Sequence, residues 1–340
     1  MKALITGAAG YVGSVLLNEA SQAGLTAVPC DAGWFTSATL DPSKGDCACD
    51  FRQLCPDALS KVDAVIHLAA LSNDPLGAID PAVTLQLNGL DAIHLAERAR
   101  AAGVGTFVLA STCSVYGNAA AAELDESAPA APLTAYAQAK LQAEAGVLAL
   151  AQPGFRVAVL RGATAFGPSN CPRTDLLLNE LAAVAALQRP IRLLSDGRSW
   201  RPFMPVADFA RALLLAAWQP PVCDGGPPIW NVAPPGMQMT VAEAAVRAAR
   251  ASAAPAPTMG KAVTSDRRSY RVCGDRLTRA FPAFVYSDDF DAAIRETVEA
   301  YRAIPTLAED MGNDRFVRVA TLQKTGAIPV ALTTQQRNVG

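Results

Sequence analysis

Tyr136 and Lys140 stand four residues apart in a stretch, 134–151, whose pattern predicts a helix, so both side chains fall on one helical face. A phenol with its ordinary pKa of about 10 is a poor base at neutral pH. An ammonium one turn away favours the phenolate, and each unit of pKa lowering is worth about 1.4 kcal/mol toward ionisation. Such a pair suits removal of a proton from a substrate hydroxyl while hydride leaves the same carbon for an oxidised nicotinamide, whose charge reinforces the effect. Lys140 would also hold cofactor ribose, and Thr112, just past a predicted strand over 106–110, is placed to hydrogen-bond the substrate oxygen. Taken alone, a Tyr and a Lys at this spacing also describe an exposed helix face, so the chemistry depends on what the rest of the chain builds.

The chain opens on a place to hold such a cofactor. In MKALITGAAGYVG an apolar run, 3–6, breaks into Gly7, Gly10 and Gly13, and a helical pattern with Val12, Val15 and Leu16 follows. Gly7 permits a tight turn, Gly10 lets main chain approach a pyrophosphate, and Gly13 lets the helix pack closely on the strand. The spacing is G-x-x-G-x-x-G, and its value lies in the strand before it and the helix after it. A second apolar run, 25–30, ends at Asp31, where a carboxylate accepts hydrogen bonds from ribose hydroxyls. Ala32, Gly33 and Trp34 supply no cation for a 2′-phosphate, which favours NAD over NADP. Asp31 read by itself is also an ordinary turn residue at a strand end.

The elements that must position these groups follow in order. Strands are predicted over 3–6, 25–30, 47–50, 64–68, 106–110 and 156–161, with Asp50 closing the third beside the expected adenine position. Helices are predicted over 81–101 and 134–151, and a loop rich in Ala and Pro is expected from Gly117 to Pro132. Alternation of strand and helix implies an α/β fold, a doubly wound parallel sheet covered on both faces, with strand C-termini along one edge. Past Gly167 and Pro168 prolines and glycines recur between shorter helical patches, 176–187 and 206–218. A smaller C-terminal substrate-binding lobe is therefore expected. The division is 1–168 for the cofactor, with a returning segment near 203–232, then 169–202 and 233–325 for substrate, and a tail at 326–340. Residues 229–232 are the candidate return strand, and 288–301 and 316–322 are expected to be helical.

Composition narrows the classes. The 340 residues are 51% hydrophobic and 18% charged, enough for a substantial core, and the net charge of −2 with no Lys/Arg run leaves no footprint for nucleic acid. The eight cysteines form no C-x-x-C pair, so no metal is expected and reduced thiols are the default. His67 lies inside an apolar strand and His94 on a helix without a second ligand one turn away, and both are read as structural. No leader precedes the first strand and no run is long and apolar enough to span a bilayer, so no membrane association and a cytoplasmic location are expected.

Taken in order, the motifs TGAAGYVG (6–13), Asp31, Asp50, HLAA (67–70), Asn88, STCSVYG (111–117), YAQAK (136–140), RGATAFGP (161–168), DGRSWRPFMPVAD (196–208) and DRRSYRV (266–272) resemble the extended short-chain dehydrogenase/reductases. Within that superfamily the likeness is to the NAD-dependent nucleotide-sugar epimerases, dehydratases and ketoreductases. It implies a Rossmann-type cofactor domain and a catalytic triad of Thr112, Tyr136 and Lys140. It implies NAD held by Gly7, Gly10, Tyr11, Val12, Gly13, Asp31, Asp50, Leu68, Ala69, Ala70, Tyr136 and Lys140. Arg201, in a D-G-x-x-x-R pattern, would grip the substrate diphosphate through bidentate bonds, with Asn179 and Arg268 as further candidates and Thr112, Ser114 and Thr164 toward the sugar.

Two departures bear on the reaction. Members that eliminate water carry an Asp-Glu pair directly after the Thr, whereas Cys113 and Ser114 stand here, and Thr164 replaces a frequent Asn. A serine lacks an activating base and a thiol acts only with a lowered pKa, so dehydration is disfavoured, while Cys113 remains a candidate in an epimerisation. The expectation is a nucleotide-diphosphate sugar epimerase acting by transient oxidation, most simply at C4. A reductase of a nucleotide-linked 4-keto sugar and a silent dinucleotide sensor stand as alternatives. The resemblance further implies a homodimer through helices 81–101 and 134–151.

Overall fold

The computed structural model describes residues 1–35, 40, 43, 45–72, 74–222, 225–261 and 268–311. In chain order the strands are β1 (Lys2–Thr6), β2 (Thr26–Cys30), β3 (Ala64–His67), β4 (Thr106–Thr112), β5 (Asn118–Leu124), β6 (Arg156–Gly162), β7 (Thr164–Phe166), β8 (Arg192–Leu193), β9 (Trp200–Pro205), β10 (Ile229–Val232), β11 (Gln238–Thr240), β12 (Thr258–Met259) and β13 (Ser269–Val272). The helices are α1 (Tyr11–Gln22), α2 (Pro56–Leu59), α3 (Asp74–Ile79), α4 (Pro81–Leu85), α5 (Asp91–Ala101), α6 (Ala135–Leu148), α7 (Leu177–Ala186), α8 (Val206–Trp218), α9 (Val241–Ala251), α10 (Asp275–Ala280), α11 (Phe290–Arg302) and α12 (Leu307–Asp310).

Six parallel strands form the main sheet in the order β10-β6-β4-β3-β1-β2. Their side chains alternate between two cores, as a two-residue period demands. Ala3, Ile5, Ile66, Val108 and Leu160 pack with Leu16 and Ala20 of α1 and Ala210 and Leu213 of α8. Leu4, Val65, Phe107, Leu109 and Val159 pack on the other face with Leu95 and Ala99 of α5 and Ala143 and Val147 of α6. Each fully buried leucine among them contributes about 1.5–3 kcal/mol. Both faces being covered, the strands are apolar almost throughout. A third core joins α7, α9 and α11 around Phe166, Phe203, Phe290 and Ile294.

Three expectations change. Residues 47–50 are not a strand: Cys47 makes only an isolated parallel bridge to Cys30, and Asp50 instead caps a short turn by accepting from Arg52 N at 2.9 Å. Pairing with β2 stops at Cys47, whose N donates to the Pro29 carbonyl at 2.8 Å and whose carbonyl accepts from Asp31 N at 3.1 Å. The sixth strand of the sheet is β10, which returns at 229–232 beside β6. The Ala-rich stretch after Gly117 is not all loop, because β5 pairs in parallel with β13, a partner so distant in sequence that no local pattern reports it. The helix expected over 81–101 carries a π-turn, Gln86–Leu90, between α4 and α5. Within that turn the buried Asn88 amide brackets Leu71, accepting from its N and donating to its carbonyl, each at 2.9 Å. The helix expected at 316–322 and the tail at 326–340 lie outside the described residues.

Candidate active site

The C-terminal ends of β1, β2, β3, β4 and β6 open on one cavity of about 820 Å³. At its floor the glycine loop joins β1 to α1. Gly7 has φ +73°, and a Cβ there would sit 2.7 Å from Ala69 N, so only glycine fits. Gly10 caps α1, and a Cβ on Gly13 would overlap the Gly7 carbonyl, so helix and loop are in backbone contact. Bare main chain at a helix N-terminus is what a pyrophosphate needs, and this cradle fits a dinucleotide. Tyr11, Val12, Leu68, Ala69 and Ala70 line the same cavity.

Asp31 follows β2 and faces the cavity, its carboxylate accepting from Ala9 N at 3.1 Å and Gly33 N at 2.7 Å. Asp50 also lines the cavity, but both its oxygens are held by Arg52, at 2.6 Å in the shortest contact. Trp34 and Phe35 extend this end of the wall, with the Arg52 guanidinium 5.8 Å from the Trp34 ring centre.

Thr112 ends β4, where its Oγ1 accepts from Ser114 N at 3.1 Å. Tyr136 lies in the first turn of α6, a helix started by Thr134, whose side chain accepts from Ala137 N at 3.2 Å. Thr112, Tyr136 and Lys140 all face the cavity, so the structure brings the three together. Lys140 is 2% exposed and donates from Nζ to the Ala110 carbonyl at 2.9 Å. Burial lowers its pKa to about 8, with Glu144 one turn on opposing the shift. Glu144 in turn is tied to Arg161 at 2.6 Å and accepts from Ser111 Oγ, which locks α6 to β4 and β6.

His67 is structural, as its apolar setting implies. Its Nδ1 pairs with Thr6 Oγ1 at 2.7 Å, and burial, seconded by the Lys140 charge, lowers its pKa to about 3. His94 is exposed on α5. Cys113 does not meet the expectation placed on it. The residue is 1% exposed and absent from the cavity wall, its Sγ donates to the Arg161 carbonyl at 3.2 Å, and burial pushes the thiol pKa up. Asn179 is corrected as well. Its Oδ1 accepts from Gly167 N at 3.1 Å, so the fully buried amide fixes the turn after β7 instead of lining the cavity.

Ser114, Thr164, Arg201 and Arg268 do line it. Arg201, largely buried, donates to the Trp200 carbonyl at 2.9 Å and to the Arg268 carbonyl. The charges of Arg268 and Arg201 both act on the Tyr270 hydroxyl, which hydrogen-bonds the Ser114 side chain and is pushed up to about 12 by burial. Two guanidinium groups on one wall prepare it for an anion. Sequence reasoning passed over Ser72, Arg173, Asp175, Glu180 and Tyr270, which line the cavity. The first four belong to no spaced motif, whereas Tyr270 sits inside DRRSYRV and was within reach. Among the described residues no group of three or more His, Cys, Asp or Glu is placed to hold a metal ion, and no helix is long and apolar enough to cross a membrane.

Residues 3–233 match the family described as the NAD dependent epimerase/dehydratase family. The chain is 30% identical over 237 residues to UDP-glucose 4-epimerase of Azospirillum brasilense, covering 63% of this chain and 68% of that protein. It is 28% identical over 235 residues to dTDP-glucose 4,6-dehydratase of Streptomyces niveus, with the same coverage of 63% and 68%. Among solved structures it resembles MoeE5 in complex with UDP-glucose and NAD, with a TM-score of 0.76, 29% identity, and 89% of this chain and 99% of that one covered.

Proposed function

Because the chain belongs to the NAD-dependent epimerase/dehydratase family, we propose that it interconverts epimers of a nucleotide-diphosphate sugar by transient oxidation of a ring hydroxyl, at C4, and return of the hydride to the opposite face. NAD, when bound, supplies a nicotinamide that takes up and gives back that hydride. Tyr136 Oη takes the hydroxyl proton and later returns it, with Thr112 hydrogen-bonding the same oxygen. The Lys140 ammonium favours the phenolate and holds ribose. The glycine loop cradles the pyrophosphate, and Asp31 and Asp50 mark the adenosine end. Arg201 and Arg268 bind the sugar's diphosphate through charge-assisted bonds, and Thr164, Ser114 and Tyr270 border the sugar. The main sheet carries the cofactor, and segments 169–202 and 233–325 carry the substrate. The protein works in the cytoplasm as a homodimer built on α4, α5 and α6, which sedimentation at two concentrations tests.

The observation that carries the choice of epimerisation is the acid–base inventory behind Thr112. Elimination of water needs a second acid and base there, but the Cys113 thiol is sealed away and the Ser114 hydroxyl is engaged by Tyr270. Of the carboxylates on the cavity wall, Asp50 and Asp175 are ion-paired with arginines, Asp31 is held by Ala9 N and Gly33 N, and Glu180, whose carboxyl pKa burial pushes up, stands on α7 and not in the turn behind Thr112. The test is to denature the purified protein, identify released dinucleotide by mass, and offer the native protein a panel of nucleotide sugars without added cofactor. Stoichiometric NAD with isomerisation of one sugar is the expected result. Turnover only with added NAD(P)H and a keto-sugar makes the protein a reductase, and silence on both counts leaves a dinucleotide sensor.

A further inference from the structure

A strap that this chemistry does not use borders the cavity through Arg173 and Asp175. After β7, residues 167–175 are tied to the first turn of α1, which directly follows the glycine loop. Ser169 Oγ donates to the Tyr11 carbonyl at 2.8 Å and meets Ser14 Oγ at 2.8 Å, while the Tyr11 hydroxyl donates back to the Gly167 carbonyl at 3.1 Å. At its far end the strap reaches the opposite lip. Arg173 donates through one terminal nitrogen to Ser72 Oγ at 2.8 Å and through the other to the Ser72 carbonyl at 3.4 Å. Asp175 holds the same guanidinium through Nε and a terminal nitrogen, each at 2.6 Å. Ser72 follows Leu71, whose N and carbonyl are both held by the Asn88 amide, so the backbone is anchored next to the contact. Arg173 is 4% exposed, and Arg173, Ser72 and the glycine loop all face the cavity.

The geometry points to Arg173 and Ser72 as a latch that closes this strap over the bound dinucleotide and sets how long it stays. The inference rests on the proposed epimerase reading, in which hydride must come back from the same bound molecule that received it. A reductase would need the opposite, free exchange at every turnover. The strap is anchored on both lips, so release of a dinucleotide lying on the glycine loop requires the Arg173–Ser72 contacts to break. An arginine already ion-paired and buried does not swing into solvent without cost.

The test is a chase: protein loaded with radiolabelled NAD is diluted into excess unlabelled NAD, and retained label is followed by rapid filtration. Ser72→Ala removes one acceptor and leaves the Arg173–Asp175 pair intact, and it is expected to speed release about three- to tenfold. Arg173→Ala is expected to speed it about tenfold or more, the size of one charge-assisted hydrogen bond. The double variant should release no faster than Arg173→Ala within about twofold, because both changes open one latch. Release at the wild-type rate in Ser72→Ala overturns the proposal, and so does a double variant whose rate multiplies the two single effects. If Arg173→Ala does not fold, Ser72→Ala decides alone. Failure of the epimerase reading looks different: wild-type protein that isomerises no sugar while its release of loaded NAD still depends on Ser72.

Discussion

The lip formed by Gly7, Gly10 and Gly13 and the lip formed by Arg201 and Arg268 face the same cavity but are made of different atoms. On the first, recognition belongs to main chain, and what matters is the absence of side chains: a Cβ at Gly7 or Gly13 would strike backbone. On the second, long cationic side chains come from segments at 200–205 and 268–272, which two separate parts of the chain supply. The first lip is therefore intolerant of a single added carbon. The second can lose a guanidinium and keep its backbone, so fold and affinity separate there. Between them lie Thr112, Tyr136 and Lys140, where chemistry is expected.

Variants can break or sharpen this contrast. The largest effect belongs between the lips. Tyr136→Phe keeps ring and packing, and should lower kcat by about 10²- to 10⁴-fold while leaving NAD affinity within a few-fold. Steady-state kinetics and a binding titration on one preparation check it, and a kcat within tenfold of wild type would remove Tyr136 as the acid–base group.

Gly13→Ala tests the backbone lip. The added methyl meets the Gly7 carbonyl and Ala8 main chain, neither of which is the free end of a flexible side chain. Overpacking of this kind costs about 1–3 kcal/mol, and the upper end is expected, together with at least tenfold weaker NAD binding. Urea unfolding and calorimetric titration measure the two. Tolerance without loss of either would show that helix and loop do not need their close approach.

Burial at the centre also has a pH signature. Lys140 has its folded pKa lowered from 10.5 to about 8 by burial. Below about pH 8 the lysine is charged in both states and the penalty of burying that charge weighs fully on the native one. Between about 8 and 10.5 the unfolded chain binds more protons, so stability rises with pH, by about 3 kcal/mol at the top of the window. Lys140→Met should flatten that rise in urea unfolding followed from about pH 7 to pH 10. An unchanged slope would place the titrating group elsewhere.

The same contrast explains what could be read from the sequence. A backbone lip leaves a signature because the glycines it needs, Gly7, Gly10 and Gly13, lie close together in the chain, and the strand before and helix after them are local. The face shared by Tyr136 and Lys140 is legible for the same reason, since helical spacing is fixed. Residues 47–50 misled because a short apolar run looks alike whether it pairs along its length or, as at Cys47, through one bridge only. The pairing of β5 with β13, and the seating of Arg173 against Ser72 across 101 residues, depend on chain returns that leave no local period. Asn179 shows the converse error: a polar residue at a plausible place turned inward to hold Gly167, because a buried backbone N–H needs an acceptor.

On the side-chain lip, Arg201→Ala removes a guanidinium without touching the glycine loop. KM for the nucleotide sugar should rise about 10- to 100-fold, the loss of a charge-assisted pair, with NAD affinity unchanged. Gly13→Ala and Arg201→Ala thus make a crossed pair, each weakening the ligand of its own lip. If Arg201→Ala loses NAD affinity as well, the two lips are not independent and the division between backbone and side-chain recognition fails.

The smallest expected effect is at Cys113, and it is informative because the residue is so near the chemistry in sequence. It follows Thr112 directly, yet the short turn 113–116 carries its side chain inward, where the thiol donates to the Arg161 carbonyl and burial keeps it protonated. A protonated, enclosed thiol neither accepts nor delivers a proton in the cavity. Cys113→Ala should therefore keep kcat and KM within about threefold and cost about 1 kcal/mol in unfolding free energy, from the small void left by the sulfur. A loss of kcat beyond a hundredfold with unfolding little changed would mean that the turn opens during turnover and presents the thiol to the sugar. The acid–base groups would then extend past Thr112, and the case against elimination of water, which rests on the sealing of this position, would fall with it.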